Sequence, residues 1–294
     1  MTKLLKGKEL STEIREDLKK EVIALKCNGI SPKLAVIMVG NDEASARYVK
    51  NKSKACDEVG IEYEEILMDA NISLEQLLEV IDKLNEREDV HGILLQSPVP
   101  NHLDITKAFN HIDYKKDVDG FNPVNAGLLL TGQESFIPCT PLGVIKMLEA
   151  SNIEICGKKV VVLGRSTIVG KPMGELLLSK DATVTICHSR TQDIANITRQ
   201  ADILIAAVGK INFVTEEMVK EGAVVIDVGI NYDSEKEKLV GDVDFPNVSK
   251  KTSYITPVPG GVGPMTITML MHNVVKAAKQ KTKGFENNSL RRTL

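Results

Sequence analysis

Short runs of apolar and β-branched residues alternate with segments of helical pattern along most of the chain, and this alternation constrains the fold most strongly. Three runs in the first part, LAVIMVG, IEYEEILM and VHGILLQ, begin at residues 34, 61 and 90. Four in the second part, KVVVLG, TVTICH, ILIAAVG and AVVIDVG, begin at residues 159, 183, 203 and 223. Apolar strands that alternate with helices are typical of parallel sheets covered on both faces. The sequence therefore predicts an α/β protein.

The alternation breaks between about residues 98 and 140, where Pro, Asn, Asp and Gly are frequent. Such a composition is typical of loops. We therefore expect two α/β units that are divided near residue 140, with a loop-like region between the two series of strands. The last apolar segment, PMTITMLMHNVVKAAKQ, begins at residue 264 and has a helical pattern.

Composition and charge exclude several classes of function. The 294 residues carry a formal net charge of −3, with both signs mixed along the chain, which gives no general electrostatic reason to bind nucleic acid or a membrane. The five cysteines are dispersed without a CxxC pair, so we predict neither a disulfide framework nor a metal site. No apolar run has the length of a signal peptide or a membrane span, which predicts a cytoplasmic protein.

The segment KKVVVLGRSTIVGKPMGELLLS, from residue 158, has the strand, glycine turn and helix that a dinucleotide site requires. Gly164 occupies the tight turn, Ser166 stands where a second glycine is usual, and Gly170 follows later. A pyrophosphate would lie at the helix N-terminus, where backbone N–H groups are free. The alternative is a glycine-bearing turn without a ligand.

Residues near the tip of the next strand favour NADP over NAD. An NAD site usually has an acidic residue about 20 positions downstream to bind the ribose 2′-hydroxyl. Here Ser189 and Arg190 occupy that tip, the first acid is Asp193, and Arg165 lies in the glycine turn. Cationic and hydroxyl groups can bind the 2′-phosphate of NADP, and no acidic residue stands at the strand tip to bind the 2′-hydroxyl of NAD.

The basic run ARYVKNKSKA, residues 46–55, divides when it is placed on a helix from 44 to 59. Lys50 and Lys54 face away from the apolar side, but Lys52 lies within it. The residues that share its face are Ser45, Tyr48, Val49, Ala55, Cys56 and Val59. A lysine there must extend to solvent, pair or line a cavity, and burial would lower its pKa enough for acid–base work. Pattern alone leaves both possibilities open.

Three loop segments carry further candidates. Gln96 ends a buried strand, where ligands of open α/β sheets bind. Asp117 and Asp119 lie in KKDVDGF, and for Asp117 a turn or helix cap is the simpler interpretation. The segment TPVPGGVGPMT, from residue 256, is either a ligand-binding loop or a rigid turn between domains.

Seven segments together resemble the bifunctional methylenetetrahydrofolate dehydrogenase/methenyltetrahydrofolate cyclohydrolases. In family order they are YVKNKSKACDEVGI, LLQSPVP, KDVDGF, PCTPLGV, VVVLGRSTIVGKP, TVTICHSRT and PVPGGVGPMT, and they span nearly the whole chain. The resemblance implies two α/β domains with a cleft between them, the second a Rossmann-type parallel sheet. Residues 1–140 would form the folate-binding catalytic domain, which residues 265–294 complete. Residues 141–264 would form the NADP-binding domain. The protein would be a homodimer.

The implied activity is NADP-dependent oxidation of 5,10-methylenetetrahydrofolate to the methenyl form, followed by hydrolysis to 10-formyltetrahydrofolate. Lys52 matches the family's catalytic lysine, with Gln96 orienting it. Tyr48 would stack on the folate rings, Ser45 would join the substrate site, and Asp119 would bind the pterin edge.

The resemblance also assigns residues to the cofactor and to the closing loop. Gly164, Arg165, Ser166 and Ser189 would hold the phosphates, and Ile230 would line the nicotinamide side. Pro259, Gly260 and Gly263 belong to the loop expected to close over the folate.

One departure from the family pattern is Ser97 after the glutamine, where an apolar residue is usual, together with Val99 in place of Leu. Two other functions would use the cofactor half equally well, namely a two-domain NADP oxidoreductase acting on a small hydroxy acid and a non-catalytic NADP sensor. Neither needs Tyr48 and Lys52 on one helix face beside Gln96.

Overall fold

A computed structural model of the chain describes residues 2–234 and 237–291, apart from the side chains of residues 43, 44 and 281–291. Contacts divide the chain into two compact units. The first unit comprises Glu13–Leu128, Glu134–Ile137 and Ile267–Leu294. The second unit comprises Met1–Thr12, Leu129–Gln133 and Pro138–Thr266.

Strands and helices follow the alternation that the sequence predicts. The strands are β1 (Lys3–Leu4), β2 (Lys33–Val39), β3 (Glu62–Met68), β4 (Gly92–Leu95), β5 (Lys159–Leu163), β6 (Thr183–Cys187), β7 (Ile203–Ala206), β8 (Val224–Asp227), β9 (Asn231–Asp233), β10 (Lys238–Val240) and β11 (Tyr254–Ile255). The helices are α1 (Gly7–Cys27), α2 (Glu43–Val59), α3 (Leu74–Glu86), α4 (Ile105–His111), α5 (Pro123–Leu130), α6 (Cys139–Ala150), α7 (Gly170–Leu178), α8 (Ile194–Thr198), α9 (Phe245–Val248) and α10 (Val262–Arg291).

The first unit is built on a parallel three-stranded sheet with the order β3-β2-β4. From the central strand β2 the chain passes to β3 on one side and then to β4 on the other. The direction of the crossover therefore reverses between β2 and β4. In open parallel sheets ligands bind at such a reversal, beyond the carboxyl ends of the strands.

The second unit contains a six-stranded parallel sheet with the order β1-β11-β8-β7-β5-β6. From β5 the chain passes to β6 on one side and then to β7 on the other, so the reversal lies between β5 and β7. This arrangement is the Rossmann-type parallel sheet that the sequence predicts, and the α/β class is confirmed.

The central strand β2 is apolar on both faces because both of its faces are covered. Every residue of β2 from Leu34 to Val39 is buried. One face packs on Leu77, Ile81 and Leu84 of α3. On α10, Val274 lies so close to the backbone of β4 that a Cβ added at Gly92 would touch it. A strand buried on both faces loses the polar alternation of a half-exposed strand.

The region expected to be loop-like contains two short helices, α4 and α5, and the start of α6. Side chains supply the hydrogen bonds at the start of each short helix. The carboxylate of Asp104 accepts from the N–H of Lys107 at 3.0 Å, and Oδ1 of Asn122 accepts from the N–H of Val124 at 2.8 Å. With seven and eight residues, these helices are too short to show a clear helical period in the sequence.

The chain's first residues join the second unit, because β1 pairs in parallel with β11. From Ile267 onward, α10 belongs to the first unit, where Nδ2 of Asn273 donates to the carbonyls of Val118 at 2.8 Å and Ile137 at 3.0 Å. The sequence predicts one domain of residues 1–140 with 265–294 and another of residues 141–264. These boundaries differ from the observed grouping mainly at residues 1–12. They stay a prediction.

Within the part of the chain that the structure describes, no helix combines the length and the apolar character that crossing a membrane requires.

Helix α3 begins with a capping box in the segment SLEQ, residues 73–76. Ser73 Oγ accepts from the N–H of Gln76 at 3.3 Å, and Gln76 Oε1 accepts from the N–H of Ser73 at 2.9 Å. We expect Ser73→Ala to lower the free energy of unfolding of the first unit by about 1 kcal/mol, because an N–H at the helix start loses its acceptor. Urea unfolding followed by circular dichroism measures this change. Ser73→Asp, which keeps an acceptor, is the matched control, and equal losses in both variants would contradict the assignment.

Candidate active site

Gln96 lies directly after β4, at the crossover reversal of the first unit's sheet. The residue is 7% exposed, and its N–H extends the strand ladder by donating to the carbonyl of Ile37 at 2.8 Å. Its side-chain Nε2 donates to the carbonyl of Ser97 at 2.6 Å. This hydrogen bond fixes the orientation of the amide, so that Oε1 is the group presented to a donor.

That donor is Lys52. Its Nζ donates to Oε1 of Gln96 at 2.8 Å, across a separation of 44 residues. The prediction that Gln96 meets Lys52 is therefore matched by the geometry. Because the acceptor is a neutral amide, the hydrogen bond holds the amine without adding an opposite charge.

Helix α2 turns Lys52 toward Gln96 because its apolar face is buried in the first unit. Val49, Ala55, Cys56 and Val59 are each at most 2% exposed, whereas Lys50 and Lys54 are exposed. The helix begins after Asp42, whose carboxylate accepts from the N–H of Ser45 at 2.7 Å. That hydrogen bond lowers the pKa of Asp42. The predicted division of the basic run, with Lys52 on the inner side and its neighbours in solvent, is confirmed.

Tyr48 and Ser45 precede Lys52 on the same helix, and their exposure differs. Ser45 is 3% exposed. Tyr48 is 41% exposed, so its ring is not part of the packed apolar face with which the helical projection grouped it. An exposed ring one turn from an acid–base candidate offers a flat apolar surface for a ligand to stack on.

Asp119 lies in the loop that pairs with β4 through a parallel bridge between Ile93 and Asp117. Asp117 is 2% exposed, and its Oδ2 accepts from the N–H of Asn122 at 2.8 Å and from Nδ2 of Asn125 at 2.9 Å. Burial raises the pKa of Asp117 to about 6, against these hydrogen bonds. Asp117 is therefore a structural residue at the start of α5. Asp119, two positions on, is only partly buried.

The dinucleotide candidates lie at the crossover reversal of the second unit. Gly164, after β5, has a positive φ of +114°, and a Cβ there would collide with the carbonyl oxygen of Ala207 after β7. A Cβ on Gly170 would collide with the carbonyl oxygen of Gly164. Ser166 Oγ accepts from the N–H groups of Val169 at 3.2 Å and Gly170 at 3.3 Å, where α7 begins. The result is a close approach of backbone at Gly164, Gly170 and Ala207 beside a helix N-terminus, a setting that suits a pyrophosphate.

The other cofactor and loop candidates also belong to the second unit. Arg165 and Ser166 are exposed in the turn, and Ser189 is exposed after β6. Ile230 follows β8, and its side chain is 43% exposed. A Cβ atom added at Gly263 would lie 3.5 Å from Cδ1 of Ile230. The Pro259–Gly263 segment therefore approaches Ile230. Among the described residues, no cluster of three or more His, Cys, Asp or Glu side chains could hold a metal.

Two sequence models cover most of the chain. That of the tetrahydrofolate dehydrogenase/cyclohydrolase catalytic domain matches residues 5–119, and that of the NAD(P)-binding domain of the same family matches residues 138–282. The chain belongs to the tetrahydrofolate dehydrogenase/cyclohydrolase family. The predicted family, its pair of enzyme activities and a nicotinamide dinucleotide as cofactor are confirmed.

Relatives in this family align over nearly their full length. The bifunctional protein FolD of Lysinibacillus sphaericus is 57% identical over 278 residues, which is 95% of this chain and 98% of the relative. The crystal structure of FolD from Campylobacter jejuni is 51% identical with a TM-score of 0.94, covering 96% and 100% of the two chains. The dehydrogenase-cyclohydrolase of Trypanosoma brucei, solved with NADP and an inhibitor, is 39% identical with a TM-score of 0.91, covering 96% and 98%.

Two buried carboxylates of the family's NAD(P)-binding domain were not predicted from the sequence. Asp227 ends β8 and Asp242 follows β10, and they are 3% and 0% exposed. Burial raises the pKa of Asp227 to about 6, although backbone N–H groups that donate to it act in the opposite direction. The only sequence signal was a glycine nearby, two residues after Asp227 in DVG and directly before Asp242 in GDVDF.

Substituting Gly170 tests the dinucleotide surface. We expect Gly170→Ala to weaken NADP binding by at least about tenfold, because the added methyl group pushes the turn at Gly164 away from the helix N-terminus. Isothermal titration with NADP measures the effect. Gly127→Ala, at a helical glycine with open space around its Cα, is the control. Unchanged affinity in a folded Gly170→Ala protein would show that the pyrophosphate lies elsewhere.

Proposed function

We propose that the chain catalyses the oxidation of 5,10-methylenetetrahydrofolate to 5,10-methenyltetrahydrofolate with NADP, and then the hydrolysis of the methenyl compound to 10-formyltetrahydrofolate. Lys52 mediates the proton transfer of the second step, and Gln96 orients it. The observation that carries this proposal is the hydrogen bond of 2.8 Å between Lys52 Nζ and Gln96 Oε1 at the crossover reversal of the first unit.

The oxidation needs positioning more than acid–base chemistry. When bound, NADP supplies the acceptor for the hydride that leaves the methylene carbon. The chain's own contribution is to hold the two reactants in line and to exclude water. Tyr48 stacks on the folate rings, Asp119 binds the pterin edge, and Ser45 completes the substrate-binding set. Pro259, Gly260 and Gly263 belong to the loop that covers the folate.

The hydrolysis needs a group that can both take and give a proton. Water adds to the methenyl carbon and loses a proton, and then the bond from that carbon to N5 breaks as N5 gains a proton. The second proton of the water passes to solvent. An amine can accept the first proton in its neutral form and deliver it as an ammonium group. Lys52 is the residue to which we assign this work.

Gln96 suits this role because its amide serves both protonation states of the lysine. A neutral amine and an ammonium group can each donate one hydrogen bond to Oε1, so Nζ keeps its place while its charge changes. A carboxylate in the same place would favour the ammonium form and impede the return of the proton. The bond from Nε2 to the Ser97 carbonyl keeps the amide from reversing.

The cofactor is NADP. Its 2′-phosphate is bound by Arg165 and Ser189, and its pyrophosphate by the turn from Gly164 to Ser166. Three features support this: the exposed Arg165 in the glycine turn, the exposed Ser189 after β6, and the NADP held by the Trypanosoma brucei relative. The homodimer and the cytoplasmic location remain predictions from the sequence.

Replacing Lys52 separates the two activities. We expect Lys52→Met to lower methenyltetrahydrofolate hydrolysis by at least about 100-fold, the lower end of what a positioned acid–base group contributes, while NADP affinity stays unchanged. The decrease in methenyl absorbance without nucleotide measures the hydrolysis. Lys54→Met, at an exposed lysine half a turn away on the same helix, should behave as wild type. Undiminished hydrolysis in Lys52→Met would refute the assignment.

Replacing Arg165 tests the choice of dinucleotide. We expect the wild type to prefer NADP to NAD, and Arg165→Ala to lower kcat/KM for NADP by about 10-fold or more while that for NAD changes little, because only NADP carries the 2′-phosphate. Arg199→Ala, at an exposed arginine of the same unit, is the control. A wild-type preference for NAD would show that the roles of Arg165 and Ser189 are wrong.

A further inference from the structure

Asp227 and Asp242 form a connected pair of buried carboxylates at the carboxyl ends of the second unit's strands. They lie next to each other, because the N–H of Asp242 donates to Oδ1 of Asp227 at 2.9 Å. Taking carboxylates out of water costs free energy unless hydrogen bonds compensate. The groups that bond to this pair therefore show what it holds in place.

Asp242 holds the turn that follows β7. Its Oδ2 accepts from the N–H groups of Val208 at 2.6 Å and Gly209 at 2.9 Å, and its Oδ1 accepts from the N–H of Lys210 at 2.9 Å. Oδ1 also accepts from Nδ2 of Asn231 at 3.0 Å. Three consecutive backbone N–H groups thus point at one carboxylate, which ties the turn to the residue that follows Ile230.

Asp227 holds the other side of Ile230. Its Oδ1 accepts from the N–H of Gly229 at 3.0 Å, and its Oδ2 accepts from the N–H of Val243 at 2.9 Å. Glycine is required around the pair, since a Cβ at Gly229 would collide with the Asp242 carboxylate and a Cβ at Gly241 with that of Asp227. Ile230 is therefore fixed from both flanks, although its own side chain is exposed.

The two segments that the pair fixes adjoin the dinucleotide surface. Ala207, directly before Val208, makes the close approach to Gly164 at the crossover reversal. Ile230 is the residue assigned to the nicotinamide side. A displacement of either segment would therefore move the wall against which the reacting end of the dinucleotide rests.

We propose that Asp227 and Asp242 are positioning residues for the dehydrogenase step, holding the Val208–Lys210 turn and Ile230 where the nicotinamide end of NADP requires them. This inference rests on the proposed function, which assigns the dinucleotide to the second unit and the proton-transferring pair to the first. The hydrolysis step consumes no dinucleotide, so a displaced cofactor wall should affect it much less than the oxidation.

Asp242→Asn in the full-length protein is the test. The substitution keeps the shape of the side chain but directs an NH₂ group at backbone N–H donors. We expect the NADP dissociation constant to rise by about 10-fold or more, and the dehydrogenase kcat/KM to fall by about as much. The rate of hydrolysis without nucleotide should stay within about twofold of the wild-type rate. The control is Asp202→Asn, at the opposite end of β7, where Asp202 accepts from the N–H of Lys159 and from Lys220.

A folded Asp242→Asn protein with wild-type NADP affinity and dehydrogenase activity would overturn the inference, and so would equal losses of both activities. If Asp242→Asn does not fold, Asn231→Ala removes one donor to the carboxylate, and a loss of about threefold confined to NADP binding and oxidation is expected. No loss in that variant would likewise overturn the inference. Wild-type protein without NADP-dependent oxidation would instead refute the proposed function itself.

Discussion

The hydrogen bond from Lys52 to Gln96 depends on strand order, and the chemistry that we propose for the first unit depends on that bond. Because β2 lies between β3 and β4, the helix that leaves β2 and the residue that ends β4 meet at the same edge of the sheet. The buried apolar face of α2 fixes the rotation of the helix, so Lys52 turns inward while Lys50 and Lys54 remain in solvent. A lysine and an amide 44 residues apart are thus joined by one hydrogen bond.

The second unit contains the same topological feature, to which we assign the dinucleotide. Its crossover reversal lies between β5 and β7, where glycines allow the backbone at Gly164, Gly170 and Ala207 to approach closely. Such a surface suits phosphate groups because glycines let them approach backbone N–H groups closely. In the first unit the reversal presents the Lys52–Gln96 pair, to which we assign proton transfer, and in the second it presents a glycine-bearing turn, to which we assign the pyrophosphate.

The sequence predicts β2 to β8 because each of them lies in a short run of apolar and β-branched residues. It also predicts the two faces of α2, since 17 residues are enough to show the helical period. The short helices α4 and α5 escaped prediction because side-chain caps, not periodicity, define them. The pairing of β1 with β11 joins two-residue strands from opposite ends of the chain, which no local pattern can reveal.

The candidate site could be predicted only where a residue broke a pattern. Lys52 stood out because a charge interrupts an apolar stripe, and Gln96 because a polar residue ends a buried strand. Asp227 and Asp242 broke no apolar or helical pattern, and only their burial and hydrogen bonds show what they hold. Tyr48 was grouped with the buried face by its spacing, but the helix leaves its ring partly in solvent.

Rescue by added amines would test most directly that Lys52 transfers the proton in hydrolysis. Lys52→Ala removes the amine and leaves space beside Gln96 for a small primary amine from solution. The account predicts that methylamine and ethylamine restore methenyltetrahydrofolate hydrolysis in Lys52→Ala, at rates that depend on the pKa of the amine, and that they leave the wild type unchanged. Hydrolysis that no amine restores, or that Lys52→Ala retains at the wild-type rate, would contradict it.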